Sequence, residues 1–128
     1  VDIYHKAIQE NNYDCCLSEN TALPMMYMDD AVRATMNIME APSESIKIRS
    51  SYNLGGISFT PKMISEEIKN HFPEFKMSYS PDFRQAIADS WPKSIDDTSA
   101  QEDWNWKHEY DLKNMTNTML ENLKAEPV

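Results

Sequence analysis

The chain has very little glycine. Only two of its 128 residues are glycine, the adjacent pair Gly55 and Gly56. Loops that cradle a dinucleotide phosphate carry several glycines at fixed spacing, because the backbone must approach the phosphate closely. In addition, no tyrosine is followed four residues later by lysine. The sequence therefore contains neither a Gly-rich nucleotide loop nor a Tyr-x-x-x-Lys pair, and it predicts no catalytic and no cofactor-binding residue.

Cysteine and histidine are sparse as well. Cys15 and Cys16 are the only cysteines. Neighbours on a strand point to opposite faces, so a bridge between them would be strained. We therefore expect two reduced thiols, at least one of them buried, in a reducing compartment. His5, His71 and His108 have no second ligand at a usable spacing, so we predict no metal site.

Positive charge is scarce, with 12 Lys and Arg against 21 Asp and Glu and a formal net charge of −9. Nucleic acids and anionic membranes require clustered Lys and Arg, and the sequence has no such cluster. It also has no run of eighteen apolar residues and no signal segment. We expect no nucleic-acid partner, no membrane partner and no secretion. The helical pattern that begins at Val1 without a cap indicates a truncated start.

Helical and strand-like patterns alternate along the chain, which indicates α/β layering in a single unit, residues 1–128. Predicted helices cover residues 1–11, 30–40, 61–72, 98–104 and 112–123. Predicted strands cover residues 13–17, 25–28, 50–54 and 75–79. Residues 125–128 are expected to fray.

Individual residues set the predicted helix ends. Asp29 is expected to cap the second helix, and Thr60, followed by Pro61, is expected to start the third. Asp97 is expected to cap the fourth helix. Asn105 should follow that helix in a left-handed conformation.

Two helices carry apolar stripes that we expect to face the core. The stripe of the second helix consists of Val32, Met36 and Met39, widened by Ala31, Ala34 and Ile38. The stripe of the last helix consists of Leu112, Met115, Met119 and Leu123. The nine methionines are more typical of core packing than of a soft metal site.

Three sets of polar residues could act as functional groups. The pairs Asp29-Asp30 and Asp96-Asp97 could act in acid–base chemistry, but capping and the helix dipole explain them better. Arg84 could clamp a carboxylate or phosphate with its planar fork, or form a structural ion pair with Asp82 or Asp89.

Trp91, between Ser90 and Pro92, is the strongest candidate for a substrate-binding residue. A tryptophan in a loop after the last strand can wall a small pocket and exclude water from it. The structural alternative is a tryptophan that packs under the loop. Trp104 and Trp106 are interpreted as core residues.

Several runs of the sequence carry a family resemblance. Residues 84–92 read RQAIADSWP, and residues 23–30 read LPMMYMDD. Residues 51–54 (SYNL) with 58–61 (SFTP) resemble the strand-turn-helix of extended short-chain dehydrogenases, and MDDA at residues 28–31 resembles a helix start in that superfamily. Residues 96–108 resemble its C-terminal signature, with Asn105 in place of the glycine of Trp-Gly-Trp. Together they resemble the C-terminal part of L-threonine 3-dehydrogenases of the NAD-dependent epimerase/dehydratase family.

The resemblance implies a fold and an activity. The fold would be the C-terminal substrate-binding portion of a Rossmann-type α/β fold, with the nucleotide-binding half missing. The family oxidises L-threonine to 2-amino-3-ketobutyrate, in threonine catabolism to glycine, and passes a hydride to NAD. NAD and the catalytic tyrosine and lysine would belong to the missing half, so the isolated chain should be inactive and should expose apolar surface. Trp91 matches a family tryptophan at the substrate pocket.

The resemblance further implies a homodimer for the full-length enzyme and a mitochondrial-matrix or cytoplasmic location. Two alternatives stay open. One is the C-terminal part of a sugar-nucleotide epimerase or dehydratase, which usually binds its diphosphate with Arg or Lys, although only Arg84 follows Arg49 here. The other is a truncated, non-catalytic binding module.

Overall fold

The computed structural model describes residues 1–125, which form six α-helices, four strands and one short 3-10 turn. The helices are α1 (Asp2–Glu10), α2 (Met28–Glu40), α3 (Pro61–Lys69), α4 (Phe83–Asp89), α5 (Thr98–Trp104) and α6 (Leu112–Ala125). The strands are β1 (Asn12–Cys15), β2 (Leu23–Met25), β3 (Ile57–Phe59) and β4 (Lys76–Tyr79), and the 3-10 turn is Ser43–Ser45. Fraying was predicted for residues 125–128. Ala125 is instead the last residue of α6, and residues 126–128 lie outside the described part.

The strands form two separate pairs. β1 pairs with β4 in parallel, from Asn12 opposite Lys76 to Cys15 opposite Tyr79. β2 pairs with β3 in antiparallel fashion, with Leu23 opposite Phe59. A parallel pair needs a long crossover connection, and here the connection contains α2, the second strand pair and α3.

One core lies where α1, α3 and α6 meet. Ile68 is fully buried, and Phe75 and Leu120 are each only 2% exposed. Within this core the Tyr4 hydroxyl lies 3.1 Å from the Thr116 hydroxyl, so each buried oxygen has a partner. The stripe predicted for the last helix is confirmed, because its four residues are buried or half-buried there.

A second core forms around the two buried tryptophans. Trp104 and Trp106 pack with Ala34 and Ala100, and Tyr52 meets Trp104 edge to face. The indole N–H of Trp106 donates to the carbonyl oxygen of Gly55 at 3.0 Å. A buried tryptophan usually finds such a partner. The prediction that Trp104 and Trp106 are core residues is confirmed.

Helix α2 differs from its prediction at both its start and its buried face. The helix begins at Met28 with Tyr27 in the cap position, so the prediction that Asp29 caps it is wrong. The prediction that Val32, Met36 and Met39 face the core is also wrong, since these side chains are 55%, 49% and 75% exposed. With Met28, which is 69% exposed, they form an exposed surface that we call the α2 apolar stripe.

The buried face of α2 is set by small residues and one carboxylate. Ala34 is completely buried and Asp30 is 1% exposed. An alanine lets the helix approach the large rings of Trp104 and Trp106 closely, so the bulkier side chains of the other face stay outside. The prediction that Ala34 belongs to a core-facing surface therefore holds, although the centre of that surface was misplaced.

The strand predicted for residues 50–54 is also misplaced. The chain forms its strand after the two glycines, at β3, and residues 51–56 have no regular structure. A Cβ added to Gly56 would lie 2.7 Å from the carbonyl oxygen of Met25, so only glycine fits beside β2. The Gly55 N–H donates to the Asp97 carboxylate at 3.1 Å, which fixes the turn.

The other predicted ends are mostly confirmed. The Thr60 side chain accepts the N–H of Met63 at 3.2 Å, and Pro61 opens α3. Asn105 follows α5 with φ of 59°, in the left-handed region. Asp97 occupies the cap position of α5 without a side-chain capping bond, and Asp96 instead accepts the Thr98 N–H. Within residues 1–125, no helix is long and apolar enough to cross a membrane.

Candidate active-site edge

The loops that follow β1 and β4 meet at one edge of the parallel pair. Both strands run in the same direction, so Cys15 and Tyr79 end side by side. The Ser80 N–H donates to the Cys15 carbonyl at 2.8 Å, and the Asp82 N–H donates to the Cys16 carbonyl at 3.3 Å. Ligands of open α/β sheets bind outside the carboxyl ends of the strands. This edge is therefore where a substrate site is expected.

Helix α4 starts at this edge with an aspartate cap. The Asp82 carboxylate accepts the N–H of Arg84 at 2.9 Å, and its other oxygen lies 2.5 Å from the Arg84 guanidinium. The Arg84 guanidinium and then the Arg84 N–H hold the pKa of Asp82 below its ordinary value. The same pair raises the pKa of Arg84. Of the two interpretations of Arg84, the structure shows the ion pair, and its partner is Asp82.

Trp91 lies just beyond the last turn of α4 and is 57% exposed. Its backbone N–H donates to the Ala88 carbonyl at 3.1 Å, so the helical path continues to Trp91. Phe83 and Ile87 precede it at intervals of four residues and are 76% and 50% exposed. Residues four apart share one helix face. Phe83 and Ile87 thus share an exposed face of α4, and Trp91 follows outside the helix.

A groove of about 410 Å³ borders the parallel pair and the loop after β1. Its lining is mainly apolar and includes Ile3, Tyr13, Cys15, Phe59 and Met77, but not Trp91. Burial raises the pKa of the Tyr13 phenol and of the Cys15 thiol, so both stay protonated near neutral pH. A groove of this kind suits apolar protein side chains better than a zwitterionic amino acid.

The two cysteines are free, with Cys15 buried and Cys16 half-buried, as the sequence predicts. Residues 1–125 contain no group of three or more His, Cys, Asp or Glu side chains that could hold a metal ion. The Asp30 carboxylate, predicted only as part of a helix start, is buried and accepts the N–H groups of Glu109 and Tyr110.

Sequence reasoning also missed α4 and its central residue, Gln85. The Gln85 side chain bonds to Ser18 and Thr21 in the loop after β1. A signal for α4 was present, because Asp82-x-x-Gln85 has the spacing of a capping box. In the structure Gln85 points toward the neighbouring loop and not back toward the cap.

No family model matches the chain, but individual known proteins match nearly all of it. The mitochondrial L-threonine 3-dehydrogenase of Bos taurus is 48% identical over 121 residues, which are 94% of this chain and 32% of that protein. The chain therefore spans about a third of the length of this curated relative.

Comparison with solved structures gives the same result as the sequence comparison. The GalE-like L-threonine dehydrogenase of Cupriavidus necator, in its apo form, superimposes with a TM-score of 0.92 at 53% identity, over 96% of this chain and 44% of that one. The L-threonine dehydrogenase of Phytophthora infestans gives a TM-score of 0.94 at 45% identity, over 98% and 40%. The resemblance to the C-terminal part of these dehydrogenases is confirmed, as is the fold class, the C-terminal portion of an extended short-chain dehydrogenase fold.

Proposed function

We propose that the chain is the substrate-side part of an NAD-dependent L-threonine 3-dehydrogenase and that residues 1–128 form one unit of it. The whole enzyme would oxidise the hydroxyl-bearing carbon of L-threonine. The hydride passes to NAD, a proton is released, and 2-amino-3-ketobutyrate is formed. The groups that bind NAD and the tyrosine–lysine pair would come from the part of the enzyme that this chain does not span.

One observation carries the proposal. Over nearly its whole length the chain is 45% to 53% identical to proteins named threonine dehydrogenases, and it folds as they do. Its one candidate substrate residue, Trp91, is exposed just beyond the last turn of α4, and α4 starts at the strand edge where such a fold binds ligands. In this role the indole would form an apolar wall beside the threonine and exclude water from it.

The sugar-nucleotide alternative gains no support from the site. Arg84, the one arginine beyond Arg49, is paired with Asp82, and no second arginine accompanies it. Homodimerisation of the whole enzyme, and a location in the mitochondrial matrix or the cytoplasm, complete the proposal. The Bos taurus relative is named as mitochondrial.

A chimera tests the proposal. The C-terminal part of the Cupriavidus necator enzyme would be replaced by this chain, and NADH formation would be followed with L-threonine as the substrate. We expect activity from the chimera and none from the 128-residue chain alone. A folded chimera that binds NAD yet leaves threonine unoxidised would overturn the proposal and favour a non-catalytic binding module.

The Trp91 assignment is tested in the same chimera. Trp91→Ala should raise KM for threonine by about tenfold or more, because a pocket wall contributes binding in the ground and transition states alike. Met39→Ala is the matched control, since Met39 is an exposed apolar residue on α2, outside α4 and the strand edge, and it should leave KM unchanged. An unchanged KM in Trp91→Ala would remove Trp91 from the substrate site. Titration of the chain with a UDP-sugar should show no binding.

A further inference from the structure

Helix α4 is held in place by very little apolar burial. Ala88 is its only buried residue, and Phe83 and Ile87 are exposed. A helix of seven residues is also too short to be stable on its own. Polar contacts must therefore fix the position of α4 relative to the strand edge.

Gln85 supplies most of these contacts. Its side-chain carbonyl oxygen accepts the backbone N–H of Ser18 at 2.8 Å and the Ser18 hydroxyl at 2.9 Å. Its amide nitrogen donates to the Thr21 hydroxyl at 3.0 Å and to the Asp89 carboxylate at 2.7 Å. One side chain thus joins the first turn of α4, the last turn of α4 and the loop after β1.

Trp91 moves with α4. The Ser90 N–H and hydroxyl both bond to the Ile87 carbonyl, and the Trp91 N–H bonds to the Ala88 carbonyl. These bonds tie the backbone of Trp91 to the last turn of α4. A shift of α4 at Gln85 would therefore be transmitted to Trp91.

We propose that Gln85 is the positioning residue that sets the place of Trp91 at the substrate site. This inference rests on the proposed function, because it takes Trp91 to be the residue that contacts threonine. Gln85 itself faces the loop after β1 and acts only through α4. Misplacement of a pocket wall by about 1 Å can lower kcat/KM by up to about a hundredfold.

The test uses three substitutions in the chimera with the Cupriavidus necator enzyme. Gln85→Ala removes all the side-chain bonds. Gln85→Glu keeps the oxygen that accepts from Ser18 but places a second negative charge beside Asp89. Adding Asp89→Asn to Gln85→Glu restores a donor opposite the new carboxylate. Gln101→Ala is the matched control, because Gln101 also bonds to an aspartate four residues away, Asp97, but on the exposed face of α5.

We expect Gln85→Ala and Gln85→Glu to raise KM for threonine by about tenfold with little change in kcat, since Trp91 contributes binding. The Gln85→Glu/Asp89→Asn double variant should recover most of this loss, and Gln101→Ala should not change KM. A residue with only a structural role would lower the active fraction, and so kcat, without changing KM. That pattern, or the absence of rescue, would overturn the inference.

Hydrogen exchange of the 128-residue chain tests the same residue without any activity. Gln85→Ala should speed exchange of the backbone amides in residues 83–91, with those of α3 and α6 unaffected. If the chimera is inactive and this local effect is present, the proposed function fails while Gln85 still anchors α4. Unchanged exchange in residues 83–91 would overturn the anchoring role whatever the chimera does.

Discussion

The carboxylate of Asp30 accepts the backbone N–H of Tyr110 at 3.0 Å, across 80 residues of sequence. The same carboxylate accepts the Glu109 N–H at 3.0 Å and a bond from the Arg33 guanidinium at 2.7 Å. Arg33 in turn donates to the Lys107 carbonyl. The first turn of α2 therefore fixes the segment that joins α5 to α6, and it does so through a side chain that is 1% exposed.

Loss of this carboxylate should destabilise the chain. In Asp30→Ala, two partly buried N–H groups lose their acceptor and the Arg33 guanidinium loses one of its partners, which should lower the free energy of unfolding by about 2–4 kcal/mol. Urea unfolding followed by circular dichroism measures the change. Asp29→Ala, next to it but exposed, should cost less than about 1 kcal/mol. Equal losses in the two variants would contradict this role for Asp30.

The same carboxylate should make stability depend on pH in the acid range. Burial raises the pKa of Asp30, but the Glu109 N–H, the Arg33 guanidinium and the Tyr110 N–H together outweigh it, so the pKa lies below its ordinary value. A carboxylate whose pKa is lower in the folded than in the unfolded chain stabilises the folded chain at pH values above the unfolded pKa, about 3.9. This stabilisation is lost as the pH falls through the folded pKa. The gap in unfolding free energy between the natural chain and Asp30→Asn should therefore narrow below about pH 4.

The pH series has an internal control. The pKa of Asp103 is also lowered, first by the Tyr52 hydroxyl and then by Lys47. This carboxylate is present in both proteins, so its contribution cancels in the difference. A gap between them that stays constant from pH 7 to pH 3 would show that Asp30 does not titrate as proposed.

Replacement of Asn105 by glycine should stabilise the chain. Its φ of 59° lies in the left-handed region, where a side chain with a Cβ is strained. Asn105→Gly should raise the free energy of unfolding by roughly 0.5 kcal/mol, and Asn105→Ala should lower it by about 1 kcal/mol. Asn70 is the control, because it ends α3 with φ of −64°, and Asn70→Gly should destabilise. If Asn105→Gly were as harmful as Asn70→Gly, the strain argument would fail.

The α2 apolar stripe should cause the isolated chain to self-associate and to bind hydrophobic dyes. The expectation of exposed apolar surface is met by Val32 and Met36, which are about half exposed within it. Val32→Lys and Met36→Lys should reduce dye binding and self-association, measured by ANS fluorescence and light scattering, and should change stability by less than about 0.5 kcal/mol. Ser99→Lys, which adds the same charge at an exposed position of α5 and so outside the stripe, should leave dye binding unchanged. A natural chain that binds no dye would contradict the expectation.

The sequence predicts those elements whose signals are local. Thr60 with Pro61 marks the start of α3, and Asn105 marks the end of α5, because capping and left-handed geometry depend on one or two residues. Which face of α2 is buried is not decided by a local signal. Its two apolar faces look alike in sequence, and only the approach of the tryptophan rings to Ala34 decides between them.

The candidate site is predictable to a smaller extent. Trp91 was chosen from the residues around it and from the family resemblance, and its role as a substrate contact stays a prediction. The contribution of Gln85 depends on Ser18, which is 67 residues away in sequence. A side chain whose partners come from another loop leaves no periodic signal in its own segment, so its role becomes visible only in the folded chain.

The parallel pairing of β1 with β4 also determines when the chain can fold during synthesis. Asn12 cannot pair with Lys76, and the Tyr4 hydroxyl cannot bond to Thr116, until those later residues have been synthesised. Thr116 follows Tyr4 by 112 residues. At roughly 5–20 residues per second, several seconds pass on the ribosome before these partners exist. Contacts so distant in sequence slow folding, because the entropy cost of closing a long loop precedes the favourable energy of the contact. The first helix and strand should therefore be the segments of this chain that stay unpaired longest and that molecular chaperones bind.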